Sequence, residues 1–342
     1  MRKDPEKNSR IKRLAAGIMV LLSVSVTLVS VSYSWIRRQW TPSVSGQNLR
    51  IEASGALAFK LDGNVTNTVT LTDGLGSGFV LRPVSNSSGK SEDFFSLDRS
   101  DNDEFKYAYE HITRDPNSTN WKSAASKYGY IETSFYILYG DGSDSSTSGS
   151  SDGRVKFVYL DTAELKNSME NTLNAAQAAR VSVSVEKASK DVTYIFGNAE
   201  NVNAFAITDE KDGDTWIADG VRYYVPGSDY VVSREVSEGV SLYKDVRVED
   251  MKSYNGGFTS LDGMEGTYVD PARCLFEMQS RTANKKVTVR VWLEGCDPIC
   301  SDDIAGLQLD LLMSFAAADC SAVPVKAGEK EYYRVIEQGS GQ

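Results

Sequence analysis

Period-two alternation of apolar and polar residues constrains this chain more than any other feature. Val181, Val183 and Val185 alternate with serines in RVSVSV, and Val287, Val289, Val291 and Leu293 with polar partners in KVTVRVWLE. Leu307, Leu309, Leu311, Met313 and Phe315 continue the pattern, and Leu49, Ile51 and Ala53 open it. Side chains of a strand point alternately to its two faces, so each run reads as a strand with one face on a core. Other β-rich runs lie at 56–61, 66–71, 105–112, 129–139, 154–160, 192–197, 221–232 and 331–336, separated by Gly, Asn, Asp and Ser clusters. Strands without regularly interleaved helices predict an all-β chain, an antiparallel sandwich or barrel rather than a βαβ fold.

One helix interrupts the pattern. Asp161-Thr-Ala-Glu164 resembles a capping start, and AELKNSMENTLNAAQAA follows with good helix formers, so a helix is expected across one end of the sandwich. The low-complexity stretch Gly140–Gly153 is expected to be a hairpin loop, because YIETSFYILY before it and RVKFVYL after it both read as strands. Its acidic residues lack the D-x-[DN]-x-[DN]-G spacing of a calcium loop, and so does DEKDGD at 209–214.

The N-terminus places the chain at a membrane. Residues 14–35 carry no charge, and a helix of that length spans about 33 Å, enough for a hydrocarbon core of roughly 30 Å. Residues 1–13 hold six Lys/Arg against Asp4 and Glu6, and Tyr33, Trp35 and Trp40 suit the far interface. The heavier basic flank predicts a cytoplasmic tail at 1–13, a single signal-anchor or signal-peptide helix at 14–35 and an exported body at 36–342. The length of the apolar run favours retention, a single pass with the C-terminal body outside; cleavage beside Ser30/Ser32 or Ser32/Ser34 would release a secreted protein.

Charge and composition narrow the chemistry. Residues 36–342 hold 31 basic against 45 acidic residues, a balance of −14, which repels phosphate backbones and argues against nucleic-acid binding. A single histidine, His111, excludes ordinary His-rich zinc sites, and no G-x-S-x-G or neighbouring base marks a serine nucleophile. No catalytic residue, metal set or cofactor is therefore expected. Acidic residues are plentiful enough for a carboxylate pair of the glycosidase kind, but nothing singles out two of them. Tyr107, Tyr109, Tyr128, Tyr130, Tyr136, Tyr139, Tyr223 and Tyr224 could line a glycan-binding face, although β-propensity alone accounts for them.

Cys274, Cys296, Cys300 and Cys320 all lie in the last quarter, and in an exported chain clustered cysteines point to disulfides. If 285–294 and 307–316 form a hairpin, Cys296 and Cys300 share its loop, whereas Cys320 falls on the order of 30 Å away at ordinary strand rise. A Cys296–Cys300 bridge is expected, with Cys274–Cys300 as the alternative. An antiparallel sandwich has edges that other chains can extend, and the strand carrying Leu49, Ile51 and Ala53 is the expected assembly strand.

The membrane exit SYSW followed by VSGQNLRIEASGALAFKLDG resembles the start of TasA/camelysin-like exported surface proteins of Gram-positive, clostridial-type bacteria. KVTVRVWLEGCDPICSDDIAGLQLDLLMSF is similar to a W-L-E-G-x-D-P-x-C hairpin of related envelope proteins, and LRPVSNSSGKSEDFF and AARVSVSV resemble their middle strands. The resemblance implies a jelly-roll-like β-sandwich, with members serving as matrix fibre subunits or surface proteins. Residues 198–272 depart from the pattern and read as an insertion. No camelysin-type peptidase residue transfers. The expected function is a non-enzymatic cell-surface protein of structural, matrix or adhesive role. Its expected partners are the membrane through 14–35, further copies of itself, and cell-wall or matrix components. The rivals are a carbohydrate-binding surface module and an exported hydrolase using carboxylates.

Overall fold

A computed structural model describes residues 43–54, 57–75, 79–86, 94–98, 108–112, 121–139, 154–168, 175–186, 192–197, 211–212, 215–218, 221–223, 248–278, 284–295, 297, 300 and 304–336. The N-terminal span expected at 14–35 lies outside them. Among the described residues no helix is long and apolar enough to cross a membrane.

The described residues are mostly β-strand. Its strands begin with β1 (Ser45–Ala53), β2 (Leu57–Leu61), β3 (Asn64–Thr66), β4 (Thr68–Thr70), β5 (Pro83–Asn86), β6 (Phe94–Asp98) and β7 (Ala108–His111). Next come β8 (Ile131–Tyr139), β9 (Arg154–Asn167), β10 (Ala179–Val185), β11 (Val192–Gly197), β12 (Lys211–Asp212), β13 (Thr215–Ala218) and β14 (Val221–Tyr223). The last are β15 (Val248–Asp250), β16 (Tyr268–Val269), β17 (Phe276–Met278), β18 (Asn284–Glu294), β19 (Gln308–Ala327) and β20 (Lys330–Val335). Two short helices accompany them among the described residues, α1 (Trp121–Tyr128) and α2 (Ala175–Ala178). Gly129 closes α1 in the left-handed region at φ +89°. A Cβ there would stand 2.8 Å from the Arg82 backbone nitrogen, which donates to the Gly129 carbonyl at 2.8 Å.

These strands form a seven-stranded sheet built on β19 and a ten-stranded sheet built on β18, with β12–β14 as a separate three-stranded sheet. In the first, β19 pairs along one side with β9 and along the other with β1 and β20. In the second, β18 lies between β10 and β8, and β8 continues to β2. The alternating residues of the sequence face one another between the two large sheets. Leu49, Ile51, Leu309, Leu311, Met313 and Phe315 from the first meet Val181, Val183, Val185, Val287, Val289 and Val291 from the second in one buried cluster. Phe315 bridges the layers, with ring centroids 6.1 Å from Phe59 and 6.3 Å from Phe135.

Four expectations need correction. The ladders are not all antiparallel: β1 runs parallel to β19, β11 to β15 and β5 to β18, each pair joined by a connection long enough for the chain to return in the same direction. The helix read from Asp161 onward is strand. β9 runs unbroken to Asn167 because β19 offers it a ladder from Leu309 to Ser321, and Asp161 is the extra residue at a register shift. Among the described residues of the expected stretch, only Ala175–Ala178 is helical. Strands 285–294 and 307–316 do not form a hairpin, since β18 and β19 belong to opposite sheets. The same holds for β8 and β9, so Gly140–Gly153 joins the two layers instead of closing a hairpin. Alternation reports that a strand has a buried face, which two strands facing each other across a core satisfy as well as two neighbours in one sheet.

The later part of the 198–272 stretch is woven into the body. Met251 and Tyr254 enter the main core, and β16 pairs with β20.

Candidate functional site

The segment W-L-E-G-x-D-P-x-C sits at the end of β18, where the alternation continues on both faces. Val291 and Leu293 point into the main core. Trp292 and Glu294 take the opposite face, and both are fully buried. Trp292 joins Val84, Phe94, Ile112, Ala125, Tyr130 and Ile195 in a second core outside the two main layers. Phe94 stacks on Tyr130 at 3.8 Å and meets the Trp292 ring edge-on at 5.5 Å.

The carboxylates of this segment are pinned. The Trp292 indole Nε1 donates to Glu294 Oε2 at 3.1 Å, and the Asn86 backbone N–H donates to the same oxygen at 3.3 Å. Gly295 N–H donates to the Val84 carbonyl at 2.8 Å, extending the parallel pairing of β18 with β5. Asp297 N–H then donates to the Glu294 carbonyl and Cys300 N–H to the Asp297 carbonyl. Asp297 Oδ2 then accepts from Arg180 Nη2 at 2.7 Å, both side chains being 1% exposed. Arg180 Nη1 also donates to the carbonyls of Gln177 and Ala179, satisfying the C-terminal end of α2.

A second polar set crosses the same outer face. Arg290 Nε pairs with Glu132 Oε2 at 2.8 Å, and Arg290 Nη1 donates to Ser184 Oγ at 2.8 Å. Ser184 and Thr193 hydroxyls lie 2.9 Å apart. Side chains from β8, β18, β10 and β11 are thus tied across four adjacent strands.

Chemically this arrangement holds strands together. Glycoside hydrolysis needs two carboxyl groups facing a substrate. Glu294 and Asp297 are instead closed off from solvent and engaged by an indole, a backbone amide and a guanidinium. Among the described residues no three His, Cys, Asp or Glu side chains stand together as a metal site. His111 stands in β7 opposite Phe95. Of the tyrosines, Tyr130 is buried and Tyr128 and Tyr136 are exposed, while Tyr107 and Tyr224 lie outside the described residues.

The expected assembly strand is interior. Leu49 and Ile51 are fully buried and Ala53 packs against the core. β1 has β19 on one side and β4, across Arg50–Glu52, on the other. Of the expected disulfide, Cys296 lies outside the described residues, and Cys300 is buried against the main core. Cys274 and Cys320 occupy a third cluster with Val155, Phe157, Val269 and Ala318. Burial pushes both thiols up to about 12; for Cys274 the next cause is Cys320, and for Cys320 it is Asp319.

The sequence singles out the WLEG segment but gives no sign that Arg180, Arg290 and Glu132 are buried and paired on the same face. Each is a charged residue on the polar face of an alternating strand, indistinguishable from a solvated one. Compared with known protein families, curated proteins and solved structures, the chain matches none.

Proposed function

We propose that this protein is a cell-surface structural or adhesive subunit, exported through or anchored by residues 14–35, with no catalytic role. The observation that supports it most is the uncharged 14–35 run behind a +4 flank, ahead of an acidic body whose described residues are mostly β-strand. The buried carboxylates favour it over the hydrolase reading, because they tie strands together instead of facing solvent. The body is a jelly-roll-like sandwich in this reading. Support comes from the β8/β18 ladder in one sheet and the β9/β19 ladder in the other, with β8 leading to β9 and β18 to β19. Self-association proceeds through exchange of β1, carrying Leu49, Ile51 and Ala53, against β19 of another copy, with β4 displaced. A Cys296–Cys300 bridge closes the turn after Glu294.

The test is to purify the full chain in detergent and follow its oligomer size with concentration. Hydrolysis of casein and of wall glycan is assayed alongside, with and without chelator. Concentration-dependent assembly without turnover is expected. Chelator-sensitive turnover contradicts the proposal, and a monomer that binds wall glycan moves the assignment to a carbohydrate-binding module.

A further inference from the structure

The structure separates the cysteines that the sequence leaves in one cluster. Cys300 packs in the main core between the sheets. Cys274 and Cys320 share the small core on the outer face of the β19 sheet. We infer that Cys274 and Cys320 are a disulfide pair, which fastens the chain ahead of β17 to the middle of β19.

Neighbouring strands bring the two together. Cys320 lies on β19 opposite Val155 of β9 and Val335 of β20. Phe157, on the same face of β9, lies opposite Ala318. β20 carries Tyr333 opposite Val269 of β16, and a turn at Pro271–Arg273 then returns the chain over this face. Cys274 closes that turn: its N–H donates to the Pro271 carbonyl at 3.1 Å, and its Sγ lies 3.6 Å from the Asp270 carbonyl oxygen. Cys274 and Cys320 are buried in one cluster with Phe157, Val269 and Ala318, and the Cys320 charge raises the Cys274 thiol, so the two are within electrostatic reach. Cys274–Cys300, the alternative from the sequence, joins residues assigned to different cores.

The structure holds both as buried thiols, the reduced half of the couple. With thiols pushed up to about 12, the thiolate that performs exchange is scarce at neutral pH in the folded protein. The bond therefore forms during folding, before the outer core closes. One thiolate attacks the disulfide of an oxidant, such as oxidised glutathione or an exported disulfide-bearing oxidoreductase. A mixed disulfide forms and one thiol of the oxidant leaves. The second cysteine, having lost its proton to solvent, attacks the protein-bound sulfur and releases the other thiol, so two electrons and two protons pass to the oxidant. Once buried, the bond resists reductants that attack accessible sulfur.

The inference depends on the export reading only for where an oxidant is met. The full chain is refolded in detergent with reduced and oxidised glutathione, denatured, alkylated and digested without reduction. A linked peptide joining Cys274 to Cys320 is expected, and Cys274→Ser should leave Cys320 alkylated. Alkylation of both residues in the parent protein, or a link from either to Cys296 or Cys300, overturns the inference. The same mapping on protein from producing cells separates the two readings. A bond formed on refolding but absent from cells contradicts export and leaves the pairing standing.

Discussion

At the residue scale the buried ion pair of Arg180 and Asp297 decides how the end of β18 is held. Breaking one side leaves a charge buried without its partner, so Asp297→Ala should destabilise by about 3–5 kcal/mol in urea unfolding. Replacing both by apolar residues of similar volume, Arg180→Met with Asp297→Leu, should recover most of that loss, because desolvating the pair offsets much of its attraction. A double variant as unstable as the single one would show that the carbonyl contacts of Arg180, not the ion pair, dominate. The thiols give a pH signature. The folded state holds Cys274 and Cys320 protonated beyond the ordinary thiol value of 9.0, up to about 12. Between those values the unfolded chain binds fewer protons than the native one, so stability present below pH 9 is lost as pH rises toward 12. Unfolding followed against pH should show this loss in reduced protein and a smaller one after oxidation. Equal losses in both states would mean that tyrosines such as Tyr159, also raised by burial, carry the effect. Little of this was legible in sequence. Glu294 lies two residues beyond Trp292 on the face opposite the core, a position normally solvated, yet it is fully buried and held by Trp292 and the Asn86 amide.

At the element scale the sequence located strands well and their partners poorly. The runs at 56–61, 129–139, 192–197 and 331–336 reappear as β2, β8, β11 and β20, because alternation is a local property. β9 shows the limit. Its second half is rich in helix formers, yet Ala163 and Leu165 pack inward from a strand laid against β19. Tertiary pairing overrides a propensity worth only tenths of a kcal/mol per residue. Glu164 and Lys166 are exposed and joined by an ion pair of 3.0 Å, which contributes little at the surface. Replacing both with threonine should therefore stabilise the protein by up to about 1 kcal/mol, since β-branched residues suit a strand. The same double substitution in a helix would destabilise by several tenths of a kcal/mol, so the sign of the change in urea midpoint distinguishes the two conformations. The two mistaken hairpins have one cause. Period two identifies a buried face and carries no information about which sheet supplies the opposing layer.

At the scale of the whole molecule, the two large sheets are joined through one core, and Phe315 touches both layers through Phe59 and Phe135. Phe315→Ala should cost about 3–5 kcal/mol. It should lower a single unfolding transition in both near- and far-ultraviolet circular dichroism, whereas separate transitions would mean that the sheets fold independently. Export is the claim on which the functional reading turns: it supplies the oxidising compartment, the acidic exposed body and the membrane tether. The direct measurement is to add protease to intact cells stripped of their wall and to follow the tail at 1–13 and the body at 36–342 with separate antibodies. The body should be degraded while the tail survives until the membrane is opened. A body that stays intact until lysis would place it in the cytoplasm and contradict the account.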